Sequence, residues 1–157
     1  MTIVETDVYI GHINLAKSCN GAGEFFVNLV EALQQGRVRQ HVLVRSVALA
    51  KRLDLMDNVT VGPVVRSAVM AYCLMPHVDV VHIHDPSEGQ SGLLLTLTRS
   101  IPFVLTHHGE LPGRNPLTQA VYKRASGIIY QSDADAAKHL RIYQHAIQSW
   151  RTATELS

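Results

Sequence analysis

Five side chains able to do acid–base or ligand chemistry sit in two short clusters. His82, His84 and Asp85 close the run Asp79-Val80-Val81-His82-Ile83-His84-Asp85, and His107 and His108 stand side by side further on. An imidazole titrating near neutrality can move a proton, hydrogen-bond a hydroxyl or ligate a metal, and a carboxylate beside it widens each option. Both clusters end apolar, β-branched runs, so each reads as the tip of a buried strand. Residues two apart on a strand share a face, which puts His82 and His84 together. His82 lies deeper and reads as a hydrogen-bonded core residue, while His84 and Asp85 are candidates to touch a substrate. His107 and His108 point in opposite directions, so at most one of them faces a common crevice.

A His-x-His step followed by Asp is able to ligate zinc. The dinuclear hydrolase pattern His-x-His-x-Asp-His is broken here, because Pro86 and Ser87 follow Asp85. A metal-dependent hydrolase is kept as an alternative, with no metal assigned. There is no Gly-x-Ser-x-Gly elbow, and Cys19 and Cys73 read as free thiols in a reducing compartment rather than as nucleophiles or ligands. A third feature is Gly21-Ala22-Gly23, between a strand and a helical run. Glycines there allow close backbone approach, and the free amides of a helix N-terminus suit a phosphate. The spacing fits neither G-x-G-x-x-G nor the Walker lysine motif, so a tight strand-to-helix turn is the alternative.

The elements that must position these residues follow in order. Strands are expected at 7–13, 41–45, 58–65, 79–85, 101–106 and 127–131. Helices are expected at 25–35, 46–56, 66–75, 89–99 and 117–125, and another opens after Ser132 and runs to about 143. In the first helix Phe26, Leu29, Val30 and Leu33 share one face, and Gly36 stops it. The helix at 66–75 has few polar positions, so burial between the sheet and a neighbouring helix is expected, with a peripheral membrane contact as the alternative. Alternating strands and helices of this length predict a doubly wound, Rossmann-like α/β fold. Its sheet is parallel, of about six strands, with helices on both faces and right-handed crossovers. The order 3-2-1-4-5-6 sets the tips of the first and fourth strands on either side of the switch point, where ligands bind. Residues 1–141 form that domain, and 142–157 a helical tail.

Length and charge bound the rest. One domain with a sizeable core accounts for 157 residues, and a formal charge of +1 leaves no electrostatic case for nucleic acid. No apolar run approaches the ~20 residues needed to span a bilayer, and the first residues lack the pattern of a signal peptide. The expected setting is cytoplasmic.

Four segments, taken together, resemble a known family. Gly21-Ala22-Gly23-Glu24, then Asn28-Leu29-Val30-Glu31-Ala32-Leu33 and His41-Val42-Leu43-Val44, is similar to the opening of group 1 (family 4) glycosyltransferases. Asp79 to Pro86 resembles their D-V-V-H-x-H-D strand, Val104-Leu105-Thr106-His107-His108-Gly109 their V-x-T-x-H-G strand, and Ala125 to Ser132 their A-D-x-I-I-x-x-S segment. The resemblance covers residues 8–141 and implies the N-terminal, acceptor-side half of a GT-B enzyme, which transfers sugar from a nucleotide donor with retention. It implies that Gly21 and Ala22, in a turn completed by Gly23, lie against the donor diphosphate. His108 is the implied catalytic histidine at the transferred sugar. The loop from Glu110 to Pro116, with Glu110 and Arg114, is implied to border a sugar or glycolipid acceptor. Ala22 stands where the family has a second glycine. The family's second domain supplies a Glu-x7-Glu element and a basic pair for the donor, and these residues contain neither. The chain is therefore expected to be inactive alone, with no cofactor of its own. A donor-binding domain or a second copy would cover a partly apolar patch at its strand ends. A non-catalytic α/β binding module derived from such a domain is the other alternative.

Overall fold

The computed structural model describes residues 7–17, 21–108 and 115–130. Six strands form one parallel sheet: β1 (Val8–Asn14), β2 (Val38–Val44), β3 (Val59–Val61), β4 (Val80–Ile83), β5 (Phe103–His107) and β6 (Gly127–Tyr130). Their order is β3-β2-β1-β4-β5-β6, as the alternation of elements predicts. Five helices connect them: α1 (Ala22–Leu33), α2 (Val47–Leu53), α3 (Ala68–Leu74), α4 (Gly89–Arg99) and α5 (Pro116–Arg124). All strand tips therefore lie on one rim, with β1 and β4 paired at the switch point.

The sheet is covered on both faces, so its inner strands are rich in buried apolar residues, interrupted by buried polar ones such as His12, Gln40, His82 and Thr106. On one face Phe26, Val27 and Val30 of α1 and Leu49 and Leu53 of α2 pack against Val42 and Val44. On the other, residues of α3, α4 and α5 pack against Ile13, Leu43, Val81, Ile83, Phe103 and Leu105. Helix α4 lies so close to β5 that a Cβ on Gly92 would stand 2.7 Å from the Phe103 ring. Short helices start where a side chain supplies the missing acceptor: Ser46 for α2, Ser67 for α3 and Asn115, ahead of Pro116, for α5.

Several boundaries differ from the sequence reading. Strand β2 begins at Val38, before His41, because pairing with β1 runs the length of both strands. Strand β3 is three residues long and does not reach Val65, since Pro63 has no N–H to give a ladder. Strand β4 ends at Ile83, although the His84 N–H still donates to the Ile13 carbonyl at 3.1 Å. Helix α1 starts at Ala22, three residues earlier than its periodicity suggests. The burial expected of the apolar helix at 66–75 holds on one face only. Within α3 only Ala71 is fully buried, while Val69, Met70, Cys73 and Leu74 are exposed. Burial is confined to one face, where Ala68, Ala71, Tyr72 and Met75 follow one another at helical spacing, and Ala71, Tyr72 and Met75 join the core. The tail at 142–157 and the helix after Ser132 lie outside the described residues.

Candidate functional site at the strand tips

Because β1 and β4 pair with His12 opposite His82, two histidines from distant parts of the chain meet on the face covered by α1. His84 joins them just past the end of β4, its ring centroid 4.0 Å from that of His82. The Phe26 ring closes the group edge-on, 4.3 Å from His84. His12, His82 and His84 are all buried.

Their hydrogen bonds fix their protons. The Gln40 amide nitrogen donates to the Val30 carbonyl at 3.0 Å, which turns Gln40 Oε1 towards His12 Nε2, also at 3.0 Å. An amide oxygen only accepts, so His12 Nε2 carries the proton. Burial, reinforced by the neighbouring imidazoles, pushes His12 down to about 3, His82 to about 4 and His84 well below the ordinary 6.5. All three rings are therefore neutral at pH 7. Neutral His12 has a bare Nδ1, which accepts from His84 Nε2 at 3.1 Å. His84 Nδ1 is then a bare lone pair, and it is buried with no protein partner. His82 Nε2 pairs separately with the Thr106 hydroxyl at 2.6 Å.

A cavity of about 290 Å³ opens beside this row at the switch point. Asn14, Leu15 and Ala16 bring the end of β1 to it, Arg45 the end of β2, His84 and Asp85 the end of β4, and His108 the end of β5. Glu88, from the 3-10 turn Pro86–Glu88, completes the wall. Its Oε1 accepts the Leu15 N–H at 2.6 Å, and its Oε2 is buried and unpartnered. Burial raises Glu88 from 4.5 to about 8 against the pull of the Leu15 N–H, and nearby Asp85 adds to the rise. A wider hollow of about 410 Å³ lies where β1 and β2 begin, between Asp7, Arg37, Arg39 and Asn58. It is at the opposite rim from the histidines, away from where parallel sheets bind ligands.

Each sequence candidate now has a place. His108 is half-buried, lines the cavity and meets the Phe25 ring edge-on at 5.9 Å. His107 points to the other face, where it pairs with the Tyr122 hydroxyl. His84 is in the cavity wall but more deeply buried than a strand-tip residue suggests, because α1 covers it through Phe26. Asp85 also lines the cavity, with Oδ1 accepting the Ser87 N–H at 2.8 Å as the cap of the 3-10 turn. Gly21 precedes α1 with φ of 39°, a conformation that strains other residues, and its carbonyl accepts the Phe25 N–H at 3.0 Å. Ala22 and Gly23 begin the helix, so the glycine turn, His84 and His108 share one rim. Glu110 and Arg114 lie outside the described residues. Sequence reasoning missed His12, Gln40, Arg45 and Glu88. Only the strand order, with β1 beside β4, held a signal for His12.

As for metals, His12, His82 and His84 present ring nitrogens within 4.8 Å of one another. Both His12 nitrogens and one each of His82 and His84 are already in hydrogen bonds, and no carboxylate belongs to the group. A cation would have to break that row.

The family model for Glycosyltransferase Family 4 matches residues 19–152, most of the chain, and the chain belongs to that family. Its fold is that of a single GT-B half. No curated protein matches the chain closely enough to serve as a relative.

Proposed function

With membership of Glycosyltransferase Family 4 as the premise, we propose that this chain is the acceptor-side domain of a retaining, nucleotide-sugar-dependent glycosyltransferase, active when a donor-binding domain faces it. The observation that supports this reading is the shared rim, where His84 and His108 line one cavity at the switch point and the glycine turn at the start of α1 lies on the same edge of the sheet. In sugar transfer, negative charge develops on the departing diphosphate. The free amides and positive end of the twelve-residue α1 meet part of that charge, and the donor-binding domain supplies the cations. His108, half-exposed beside the cavity, contacts the transferred sugar. Asp85, with Glu110 and Arg114 of the following loop, borders the acceptor.

A sugar or glycolipid acceptor fits the surroundings. The exposed Val69, Met70 and Leu74 of α3 follow Ala68, itself in the cavity wall, and suit a lipid-bearing acceptor or a peripheral membrane contact. No helix among the described residues is long and apolar enough to cross a membrane. A second copy of the chain covering the rim instead of a donor-binding domain would be seen as a dimer by light scattering.

The test is His108→Ala in a two-domain protein joined to a donor-binding half. Transfer should fall by about 100-fold or more, with acceptor KM changed little. Transfer that survives the change favours a non-catalytic binding module. Tight binding of nucleotide sugar by the chain alone would overturn the division of labour. The three-imidazole group is the single observation on the side of a metal-dependent hydrolase, and its occupied nitrogens weigh against it.

A further inference from the structure

Strand β1 stops pairing with β4 at a point where a side chain takes over from the backbone. In a parallel ladder every second residue turns its N–H and C=O to the same neighbour, and Tyr9, Gly11, Ile13 and Leu15 turn theirs to β4. The His84 N–H accordingly donates to the Ile13 carbonyl. By the same register the Leu15 N–H would donate to the His84 carbonyl. It donates to Glu88 Oε1 instead, at 2.6 Å. One residue on, the Ala16 N–H donates to Asn14 Oδ1 at 2.9 Å. Two side chains thus take the first two amides beyond β1 and bend the chain out of the sheet, and Asn14, Leu15 and Ala16 form one wall of the cavity. The start of β1 is closed in the same way, by Asp79 Oδ2 on the Tyr9 N–H at 2.8 Å, but Asp79 is exposed and Glu88 is buried. An acceptor is all that a strand end needs. Burying the acid that supplies it ties the strand end to the acid's protonation, because a carboxylate loses its hydration there and a neutral carboxyl loses much less.

We propose that Glu88 is a positioning residue of the site, which as a neutral carboxyl ends the β1–β4 ladder at Leu15 and so fixes the cavity wall at 14–16. The use of that wall in sugar transfer rests on the reading above. Burial outweighs the pull of the Leu15 N–H and carries the titration of Glu88 up to about 8, with Asp85 adding to the rise. Ionisation therefore favours a carboxylate turned out to water, and the rung to Leu15 weakens. Among the described residues, the charged and titratable groups around Glu88 are few. Asp85 stands on its own turn, Arg45 comes from β2, His84 from β4 and His108 from β5, all in the cavity wall. The first turn of α4, residues 89–92, carries no charge, and α5 meets Gly89 with Val121.

The experiment compares the full chain with Glu88→Gln, which keeps an oxygen for Leu15 but has no proton to lose, and with Glu88→Met, which keeps the length and has no oxygen. Hydrogen exchange of the Leu15 amide at about pH 7 should stay within about threefold of the wild type in Glu88→Gln and be at least about tenfold faster in Glu88→Met. Carbon-13 shifts of Leu15 and Ala16 should follow a single midpoint near 8 in the wild type and stay flat in Glu88→Gln. In the two-domain protein, Glu88→Met should lower kcat/KM about tenfold near pH 7, and Glu88→Gln should restore it. Between about pH 7 and 9 the wild type should lose about tenfold in rate from this ionisation and Glu88→Gln should not, a difference that a merely structural residue would not produce. Thermal melting checks that both variants are folded, and if Glu88→Met is not, the pH series of Glu88→Gln decides alone. Unchanged Leu15 exchange in Glu88→Met overturns the proposal. So does a midpoint near 8 that persists in Glu88→Gln, or transfer that ignores both changes. Loss of transfer in His108→Ala with no effect at Glu88 leaves the transferase reading standing and removes the positioning role. Transfer that survives His108→Ala removes the transferase reading, and the Leu15 measurements on the chain alone still decide the rung.

Discussion

The two faces of the sheet are built to different ends from the same strands. Ile13, Leu43, Val81, Ile83, Phe103 and Leu105 fill the face under α3, α4 and α5 with hydrocarbon, and its buried His107, at the tip, is tied to Tyr122. Their neighbours, His12, Gln40, His82, His84 and Thr106, make a polar row on the face under α1. Alternation along a strand makes this division possible, since each residue changes face with each step. Hydrocarbon needs only to be packed. A buried polar row must be satisfied atom by atom, and at the cavity it is not. The aliphatic face is plain packing, and the histidine face borders the cavity.

Breaking the first face should cost the most. Phe103→Ala empties the space between Gly92 and β5 and should lower stability by about 3–5 kcal/mol in urea unfolding. Transfer per folded molecule, in the two-domain protein, should be kept. A loss of transfer without a loss of stability would contradict the division between faces.

The second face should show itself through pH. His12 and His82 have folded values of about 3 and 4 against an ordinary 6.5, and His84 moves the same way. Their contribution is present above 6.5 and lost as pH falls towards 4, because the unfolded chain takes up the protons first. Glu88 has the opposite sign: raised from 4.5 to about 8, it contributes most below 4.5, and that contribution is lost as pH rises through 8. Each unmatched proton is worth about 1.4 kcal/mol per pH unit. Between pH 6 and 5 the histidines outnumber Glu88, so stability should fall on acidification by on the order of 2 kcal/mol per unit. Between pH 7 and 8 a shallower fall of about 1 kcal/mol should run the other way. A flat profile from pH 5 to 7 would mean the rings are not held neutral. The smallest effect is that of Thr106→Val, which keeps the shape and removes the partner of His82 Nε2. It should cost about 1–2 kcal/mol, again by urea unfolding.

Much of the aliphatic face could be read from the sequence, because it follows from local periodicity and the rules of parallel sheets. The six strands came from patterns within a few residues, and the strand order and the shared rim of the glycine turn, His84 and His108 from their alternation with helices. The polar row was harder to read because its contacts are remote: His12 meets His84, and Leu15 meets Glu88, only after β1 has paired with β4. Glu88 looks like an ordinary acidic residue before a helix until the chain from β1 buries it. The exposure of α3 was misread for the converse reason. Its composition is apolar, but which neighbours cover it is decided outside the segment.

The bond from Gln40 to the Val30 carbonyl has a consequence beyond stability. A peptide group in the third turn of α1 sets the direction of the protons on His12 and His84, as a weathercock is set by the wind. Should α1 draw back and let the Gln40 amide turn over, each hydrogen would pass to the opposite nitrogen. His84 would then offer the cavity an N–H instead of a lone pair, and the site would ask its guest for the reverse of what it asks now. Nitrogen-15 shifts of the His84 ring would report which of the two is in force.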